Sequence, residues 1–417
     1  MFLSLLQLMT KIINLFLTPY PRRSMEKRFL IVSDNLGGGG VQRVISLLVR
    51  YAPKGYDISL ALTEKKIYYK LRPGTKIYFI HPYKTPLDFL RSLLDLYTVV
   101  LRERPSAVMG VKRKIWNLIL FLVGVKRIIR VPSYQLYKHK RFKEKLPYLL
   151  KRKLLYPRAS KIIAISQQIR KFLIDEWQIN PDKIVVIYNP LDMQLVRDLA
   201  AESLNYEEKT LFERKKVIIN VARLSKEKGQ WHLIRAFKRV SKEVPDARLV
   251  ILGEGVLKNY LEKLISGLNL KDKVFLLGWR SNPFKYMARS TLFCFPSLWE
   301  GFPNAIIEAL ACGLPVMSAD CLSGPREILA PGTRYKVYHL KKPEYAEYGI
   351  LMPVMDGKFY PASDPLTWQE EIWAEEIIRC LTHPEKLSDY RAKAVSRARD
   401  FDAEKITKRY FEVLLKE

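Results

Sequence analysis

The sequence is poor in the residues that hold metals and disulfides. Its 417 residues include four cysteines and five histidines, with no CxxC, HxxxH or HExxH spacing. The cysteines fall mostly in apolar runs, which favours reduced, buried thiols of a cytosolic protein over a disulfide framework. A single Asp-x-Asp, at residues 400–402, lies late in a helical tail and is expected to be structural. The sequence therefore predicts no metal site and no metal cofactor.

No continuous apolar run at the amino terminus reaches the roughly 20 residues that a membrane-spanning helix needs. Residues 1–18 instead place polar side chains at a helical spacing, with Phe and Leu filling the other face. We expect residues 1–24 to form an amphipathic helix that lies on a membrane surface. A signal peptide is disfavoured, because no basic segment precedes the apolar residues. A start at Met25 remains an alternative. The polar positions are Ser4, Gln7, Lys11, Asn14 and Thr18.

Acidic residues are scarce, and the imbalance is concentrated in the first half of the chain. Residues 1–200 contain 37 Lys and Arg against 13 Asp and Glu, whereas residues 201–417 contain 35 against 29. This excess of positive charge would attract an anionic membrane, a lipid diphosphate or a nucleic acid. The alternative is that the basic residues simply form a solvated surface. Aromatic residues interleave the densest part, at 138–161. The candidate acceptor or membrane contacts there and nearby are Lys112, Arg113, Lys138, His139, Lys140 and Arg141.

Short apolar runs that resemble strands alternate with helical segments in both halves of the chain. This pattern predicts an α/β protein with two doubly wound, Rossmann-like domains. Residues near 189–213 are polar and charged and are expected to form a linker, and the chain after Pro384 is expected to be helical. The predicted strands are 28–33, 58–62, 77–80, 107–111, 127–131, 161–165 and 184–187, then 217–222, 248–253, 274–277, 292–296 and 315–318.

Residues 300–308 contain the most informative motif, Glu-Gly-Phe-Pro-Asn-Ala-Ile-Ile-Glu. Glu300 precedes a turn, and Glu308 lies about one turn inside the helix that follows. Free backbone N–H groups near Phe302 and Asn304 make the helix start an anion site flanked by two hydrogen-bond acceptors. A nucleotide diphosphate-sugar has that pattern. The plain alternative is an acidic helix start favoured by the helix dipole.

Two other loops fit the same ligand. Gly37–Gly40 follows the first strand and allows backbone N–H groups to approach a phosphate, although a flexible turn is an alternative and the GxGxxG order is missing. Arg223 and Lys228 follow the strand at 217–222, where fixed cations can stabilise charge on a leaving phosphate. In isolation, both could equally be solvated surface cations.

Together these motifs resemble retaining glycosyltransferases of family 4, which have the GT-B fold of two Rossmann-like domains facing across a cleft. The resemblance covers the chain from about residue 28 and includes Glu-x7-Glu, Arg-Leu…Lys-Gly, and Ser-Gly-Pro-Arg-Glu-Ile-Leu at 323–329. It implies an acceptor-side domain at 25–195, a nucleotide-sugar domain at 214–398 and a helix at 399–417 that crosses back. In this fold the last helix, near 401–415, is expected to pack on the first domain.

The resemblance also implies residue roles. Glu300 would contact the transferred sugar, with Arg223 and Lys228 stabilising the leaving diphosphate, and Glu308 would contact the ribose. Arg43 is expected to assist near the diphosphate or acceptor, and Arg326 to serve the donor sugar or pair with Glu327. Ser166 matches a position near the donor phosphate. The remaining implied donor contacts are Gly38, Gly39, Gly253, Glu254, Trp279, Gly301, Phe302, Pro303 and Asn304.

The resemblance implies a metal-independent transfer of a hexose or N-acetylhexosamine from a nucleotide diphosphate-sugar, with UDP as the expected nucleotide, to a polyprenyl-diphosphate-linked or cell-envelope glycan. The enzyme would lie peripherally on the cytoplasmic face of a membrane. Alternatives are a soluble acceptor, a basic nucleic-acid-binding protein without a legible binding module, or an inactive scaffold. Residues 131–134, Val-Pro-Ser-Tyr, depart from the His or Glu-Arg-Asn segment of many relatives, which leaves acceptor binding open.

Overall fold

The computed structural model describes residues 27–82, 85–111, 126–132, 155–334 and 339–415. The predicted amphipathic helix at 1–24 lies outside the described residues. The same holds for most of the basic segment, including Lys112, Arg113, Lys138, His139, Lys140 and Arg141. Within the described part of the chain, no helix is long and apolar enough to cross a membrane.

The first domain is built on a parallel sheet in the order β3-β2-β1-β4-β5-β6-β7. Most of its strands are near-continuous buried apolar runs, because helices cover both faces of a parallel sheet. Helix α2 begins with a capping box between Thr85 and Asp88, followed by Pro86 at the first turn. The elements are β1 Lys27–Ser33, α1 Gly40–Arg50, β2 Tyr56–Leu62, β3 Lys76–Phe79, α2 Pro86–Glu103, β4 Ala107–Val111, β5 Arg127–Val131, β6 Lys161–Ala164, α3 Gln167–Asp175 and β7 Ile184–Val186.

The segment at 189–213 folds into two helices, so the prediction of a polar linker there is wrong. Helix α4 (Met193–Ala201) is capped by Asp192, and α5 (Tyr206–Phe212) by Asn205. Each has a single fully buried apolar side chain, Val196 and Phe212, and most of its other residues are exposed. Short helices with so narrow an apolar face resemble a linker in sequence, because most of their residues are solvated.

The second domain has a sheet in the order β10-β9-β8-β11-β12-β14-β13, parallel except for β13, which runs antiparallel to β14. Its sheet packs against α6 and α11, and α12 packs on α9. The elements are β8 Lys216–Val221, α6 Gln230–Glu243, β9 Ala247–Leu252, α7 Lys258–Gly267, β10 Val274–Gly278, α8 Phe284–Met287, β11 Leu292–Phe295, α9 Asn304–Ala311, β12 Val316–Ala319, α10 Pro325–Leu329, β13 Glu344–Ala346, β14 Gly349–Met352, α11 Trp368–Thr382 and α12 Glu385–Arg399.

The chain crosses between the domains twice, at residues 189–192 and 400–403. The two crossings pair through the backbone: Leu191 N–H donates to the Phe401 carbonyl (2.7 Å), and Ala403 N–H to the Leu191 carbonyl (2.9 Å). The final helix α13 (Ala403–Leu415) then packs on the first sheet. There the Phe411 ring contacts the ring of Phe29, with centroids 5.4 Å apart.

These features confirm the predicted class of two doubly wound α/β domains. Loops after the carboxyl ends of both sheets contact one another, as in Ser166 Oγ to Ser323 Oγ (3.0 Å). Open parallel sheets bind ligands at this edge. The fold therefore directs the predicted motifs of both domains toward one shared cleft.

Candidate functional site

The central loop of the site consists of residues 300–304, here called the Glu300 loop, between β11 and α9. Pro303 occupies the cap position of α9 and Asn304 its first turn. Glu300 N–H donates to the Leu322 carbonyl (2.5 Å), and Ser323 N–H to the Glu300 carbonyl (3.1 Å). These bonds tie the Glu300 loop to the segment that precedes α10, and so fix the backbone that carries the carboxylate.

Glu300 is held by Lys228. The lysine Nζ lies 2.5 Å from Glu300 Oε1, and the two side chains are 16% and 11% exposed. Lys228 lies in a short 3₁₀ turn at residues 226–228 after β8, and Leu298 N–H donates to the Glu227 carbonyl (2.9 Å), which joins this turn to the segment before Glu300. The structure thus brings two of the three predicted catalytic residues into direct contact.

Arg223 has a different environment. Its side chain is 78% exposed, and its guanidinium pairs with Glu227 at 3.2 Å. Its backbone carbonyl accepts a hydrogen bond from the Gln230 side chain (2.8 Å). This bond holds the backbone of the loop in place but not the Arg223 guanidinium. Arg223 is therefore accessible from solvent, whereas the Lys228 ammonium is largely buried against Glu300.

Glu308 contacts the opposite domain. The Arg43 guanidinium, on α1, donates to the Glu308 carboxylate. The charge of Glu308 raises the pKa of Arg43 above its usual value. A ribose that used Glu308 would therefore compete with Arg43, a partner that the sequence motif does not reveal.

The glycine loop faces the same helix start. Gly38 and Gly39 are exposed, and Gly39 N–H donates to the Tyr69 hydroxyl (3.2 Å). A Cβ at Gly40 would lie 3.3 Å from the side-chain nitrogen Nδ2 of Asn304. The first residue of α1 thus directly contacts the first residue of α9. Two helix amino termini thus meet across the cleft, an arrangement that favours an anion.

Three of the predicted donor contacts, Gly253, Glu254 and Trp279, lie at the carboxyl edge of the second sheet. Gly253 N–H donates to the Gly278 carbonyl (2.8 Å), and a Cβ at Gly253 would lie 2.0 Å from the Ala222 carbonyl oxygen, so only glycine fits. Glu254 is exposed, and Trp279 is 57% exposed on the next strand end. These residues form an accessible surface beside the Arg223 loop.

The Phe302 side chain packs against other aromatic side chains. Its buried ring stacks on Tyr188 (centroids 4.9 Å apart) and meets Phe401 edge-on (5.5 Å). Gly301 and Pro303 are buried beside it, and the Gly301 carbonyl accepts a hydrogen bond from the Ser323 hydroxyl (2.6 Å). This part of the loop therefore offers backbone groups to a ligand rather than side chains.

Arg326 is buried within its own domain. Its guanidinium donates to Asp320 (2.7 Å from Nη2) and to Glu344 (2.8 Å). The alternative that it pairs with Glu327 is wrong, because Glu327 points to the first domain instead. A role for Arg326 toward the donor sugar stays a prediction, although its nitrogens are already engaged.

Glu327 is a site feature that the sequence reasoning missed. Its carboxylate accepts from the backbone N–H groups of Gln167 (2.7 Å) and Gln168 (3.1 Å) at the start of α3. Ser166 caps the same helix. Burial raises the pKa of Glu327 to about 7, although those two hydrogen bonds oppose the shift. Its only sequence signal is its place beside Arg326.

Several buried polar atoms near the Lys228–Glu300 pair have no hydrogen-bond partner among the described residues. A buried polar atom without a partner costs free energy, so these atoms call for partners that the described residues do not supply. The atoms lie at the end of β8 or on the segments that carry Lys228 and Glu300. They are Asn220 Oδ1, Ser225 Oγ, Gln230 Oε1, Ser297 Oγ and Trp299 Nε1.

Within the described ranges, no three His, Cys, Asp or Glu side chains converge as metal ligands. The 223–228 loop carries three cations, Arg223, Lys226 and Lys228. Metal independence remains a prediction from the sequence.

Two family models match the chain. The model described as Glycosyltransferase Family 4 matches residues 37–195, and the model described as Glycosyl transferases group 1 matches residues 203–348. The first match contains the glycine loop and the second contains the Lys228–Glu300 pair. The two matches therefore follow the two domains.

Sequence relatives include an uncharacterized glycosyltransferase of Methanocaldococcus jannaschii, 39% identical over 63% of this chain and 65% of that protein. Another is the N-acetylgalactosamine-N,N'-diacetylbacillosaminyl-diphospho-undecaprenol 4-alpha-N-acetylgalactosaminyltransferase of Campylobacter jejuni. It is 30% identical over 91% of this chain and 97% of that protein. An Escherichia coli UDP-Gal:alpha-D-GlcNAc-diphosphoundecaprenol alpha-1,3-galactosyltransferase is 30% identical over 54% of this chain and 60% of that protein.

Solved structures match the fold at low sequence identity. Anabaena HepE, in complex with UDP and glucose, has a TM-score of 0.71 and 18% identity over 93% of this chain and 99% of that chain. WaaG, a glycosyltransferase involved in lipopolysaccharide biosynthesis, has a TM-score of 0.67 and 14% identity over 93% of this chain and all of that chain. At these identities the likeness concerns the fold alone.

Proposed function

The chain belongs to glycosyltransferase family 4 and has the GT-B fold, and from this premise we propose that it is a retaining sugar transferase. It moves a hexose or N-acetylhexosamine from a UDP-linked donor to a glycan carried on a polyprenyl diphosphate. The observation that carries this proposal is the ion pair of Lys228, in the turn after β8, with Glu300, which opens the loop before α9.

The chemistry of the donor fits this pair. As the anomeric C–O bond breaks, negative charge grows on the departing diphosphate, and a cation fixed nearby stabilises the transition state more than the ground state. Lys228 supplies that cation, and Arg223 adds a second when its exposed side chain turns toward the phosphates. Glu300 accepts hydrogen bonds from hydroxyl groups of the transferred sugar. Because these cations take the place of a metal, we propose that catalysis needs none.

Retention is proposed to follow a front-side route. The acceptor hydroxyl oxygen bonds to the anomeric carbon on the face from which the diphosphate leaves, and its proton passes to the departing phosphate oxygen. This route needs no protein nucleophile, and detection of a covalent glycosyl-enzyme would contradict it.

The acceptor is proposed by analogy with relatives. Two relatives at 30% identity carry names that specify diphospho-undecaprenol-linked acceptors. The excess of basic residues at 1–200 suits an anionic lipid diphosphate and an anionic membrane. We therefore place the enzyme on the cytoplasmic face of a membrane, held there peripherally.

A donor panel tests the proposal. UDP- and GDP-sugars are incubated with and without a polyprenyl-diphosphate glycan, and wild type is compared with Glu300→Gln. Turnover of one UDP-sugar that requires the lipid acceptor and falls at least about 100-fold in the variant is expected. The anomeric configuration of the product, read by NMR, tests retention.

A matched control is Glu262→Gln, which removes an exposed carboxylate from α7 that pairs only with Lys258 (3.8 Å) in the described structure. This control is expected to retain wild-type turnover. If wild type turns over no donor and calorimetry detects no UDP binding, the proposed activity is wrong.

A further inference from the structure

The Glu300 loop rests on the two interdomain crossings. The Phe302 ring lies between Tyr188, just before the first crossing, and Phe401, within the second. The crossings themselves are paired by backbone hydrogen bonds through Leu191. Any rotation of one domain against the other must change the backbone conformation of these few residues. The Glu300 loop therefore packs directly on the segments that would form the hinge.

One buried amide joins the hinge to the Glu300 loop. Asn189, 5% exposed at the start of the first crossing, donates from Nδ2 to Asn304 Oδ1 (2.6 Å) and to the Phe302 carbonyl (3.2 Å). On its other side, Asn189 Oδ1 accepts from Arg130 Nη2 (2.6 Å) of β5. The Asn189 side chain thus accepts a hydrogen bond from the first domain and donates two hydrogen bonds to the second.

Arg130 extends this chain of contacts to the final helix. It is 3% exposed, and its Nε donates to the Tyr410 hydroxyl on α13 (2.9 Å). Among the described residues it has no carboxylate partner, and its Nη1 has no hydrogen-bond partner. A buried charge held by neutral acceptors is costly. Arg130 therefore depends strongly on the orientation of the Asn189 amide.

Asparagine is the side chain that this position requires. An aspartate would present two acceptors to the Phe302 carbonyl and the Asn304 oxygen, which can give no hydrogen in return. An alanine would leave Arg130 Nη2 without its acceptor and the Glu300 loop without two hydrogen bonds. The opposite amide, Asn304 Nδ2, lies near Gly40, so the contact continues into the glycine loop.

We propose that Asn189 is a positioning residue that holds the Glu300 loop in its ligand-binding geometry while the two domains are closed. The proposal rests on the proposed function for its catalytic consequence, but its structural consequence is independent of any donor. Opening of the domains would break the link between Arg130 and the Glu300 loop, and the loop would then be held by the bonds of its own domain alone. Asn189 acts through the loop and does not itself touch the substrate.

Backbone amide hydrogen exchange of the full chain, without any donor, tests the structural part. In Asn189→Ala and Asn189→Asp, we expect amides in 300–311 to exchange about 10-fold faster, because the hydrogen bonds from Asn189 to the Phe302 carbonyl and to Asn304 are lost. Amides in α11 should keep their wild-type exchange, which separates local loosening from general destabilisation. Tyr410→Phe, which removes the far end of the chain of contacts, should give a smaller increase at 300–311.

The matched control is Arg50→Gln, which removes a cross-contact to Asp192 (2.9 Å) on the same crossing without touching the Glu300 loop. Unchanged exchange at 300–311 in both Asn189 variants would overturn the proposal. An equal increase in Arg50→Gln would do the same, because the effect would then belong to the crossing in general.

Kinetics test the catalytic part. With an active donor identified, Asn189→Ala should lower kcat by about 10-fold or more, while the thermal midpoint shifts no further than in Arg50→Gln. A variant that loses thermal stability but keeps wild-type kcat at low temperature would make Asn189 merely structural. If the wild-type protein showed no turnover, the proposed function would be wrong. The hydrogen-exchange result alone would then test the role of Asn189.

Discussion

At the scale of single residues, the Lys228–Glu300 pair needs an explanation beyond stability. A largely buried ion pair contributes little net free energy of folding, because desolvation of both charges opposes their attraction. The pair nevertheless lies on loops that follow the carboxyl ends of two strands, and the same segments carry polar atoms such as Ser297 Oγ and Trp299 Nε1 that lack partners in the described structure. Its placement is better explained by a polar ligand that uses both charges.

Replacement of Lys228 by methionine should reduce turnover by about 100-fold, because the fixed cation at the leaving phosphate is lost. Steady-state kinetics with the identified donor provides the measurement, and kcat should fall more than KM rises. The matched control is Lys226→Met, an exposed cation two residues earlier in the same turn, which lies over the Phe359 ring (5.5 Å). Equal losses in the two variants would contradict a specific role for Lys228.

The sequence was sufficient to identify residues of the candidate site, but it did not predict which side chains they contact. Local motifs predicted that Glu300 and Lys228 belong to one site, since each follows a strand of the same sheet. The pairing of Glu308 with Arg43 joins residues 265 positions apart. Likewise, Arg326 finds Asp320 and Glu344 rather than its neighbour Glu327. A sequence motif fixes neither rotamers nor the angle between domains, so contacts across the cleft need the structure.

At the scale of elements, the strands of both sheets were predicted well, including the edge strands β3, β7 and β10, and the miss is confined to the other edge of the second sheet. Strands such as β4 and β5 match the predicted bounds, because fully buried parallel strands give uninterrupted apolar runs. The antiparallel edge pair β13–β14 was missed. β13 is three residues long, with partly exposed charged and polar side chains, and gives no apolar run. Helices α4 and α5 were read as a linker for a similar reason.

The contact between α10 and α3 should make interdomain stability depend on pH. The Glu327 carboxyl has a pKa of about 7 in the folded protein, raised from 4.5 by burial. The contribution of its protonated form is therefore fully present below pH 4.5 and is lost as pH rises through 7. Over this window the free energy of unfolding should fall by up to about 3 kcal/mol.

Glu327→Gln removes this titration, so the difference in unfolding free energy between wild type and variant should change between pH 5 and pH 8. Urea unfolding at several pH values measures it. The control is Glu262→Gln, an exposed carboxylate whose difference from wild type should stay constant with pH. A Glu327→Gln difference that is equally constant would show that this carboxylate does not titrate in the folded state near pH 7.

At the scale of the whole molecule, charge and architecture divide the chain in the same place. The first domain contains most of the net positive charge, whereas the second domain carries the Glu300 loop and is nearly balanced. The paired crossings and α13 join the two into one unit. This division suits an enzyme whose first domain meets an anionic lipid surface while its second domain binds a water-soluble donor.

Deletion of residues 1–24 should separate the two contributions to membrane binding. The predicted amphipathic helix, which lies outside the described residues, supplies apolar insertion, and the basic first half of the chain supplies long-range attraction. Full-length protein should bind anionic vesicles at low and moderate salt. The truncated protein should bind more weakly and be released at lower salt, because only the screened electrostatic part remains.

Vesicle co-sedimentation across a salt series measures this, with neutral vesicles as the control, to which the truncated protein should not bind. Transfer to a membrane-embedded acceptor should fall with binding, while transfer to a short-chain, water-soluble analogue should persist in the truncated protein. If truncation changes neither vesicle binding nor transfer to the embedded acceptor, residues 1–24 are not the anchor. Membrane contact would then rest on the first domain alone, through its basic residues.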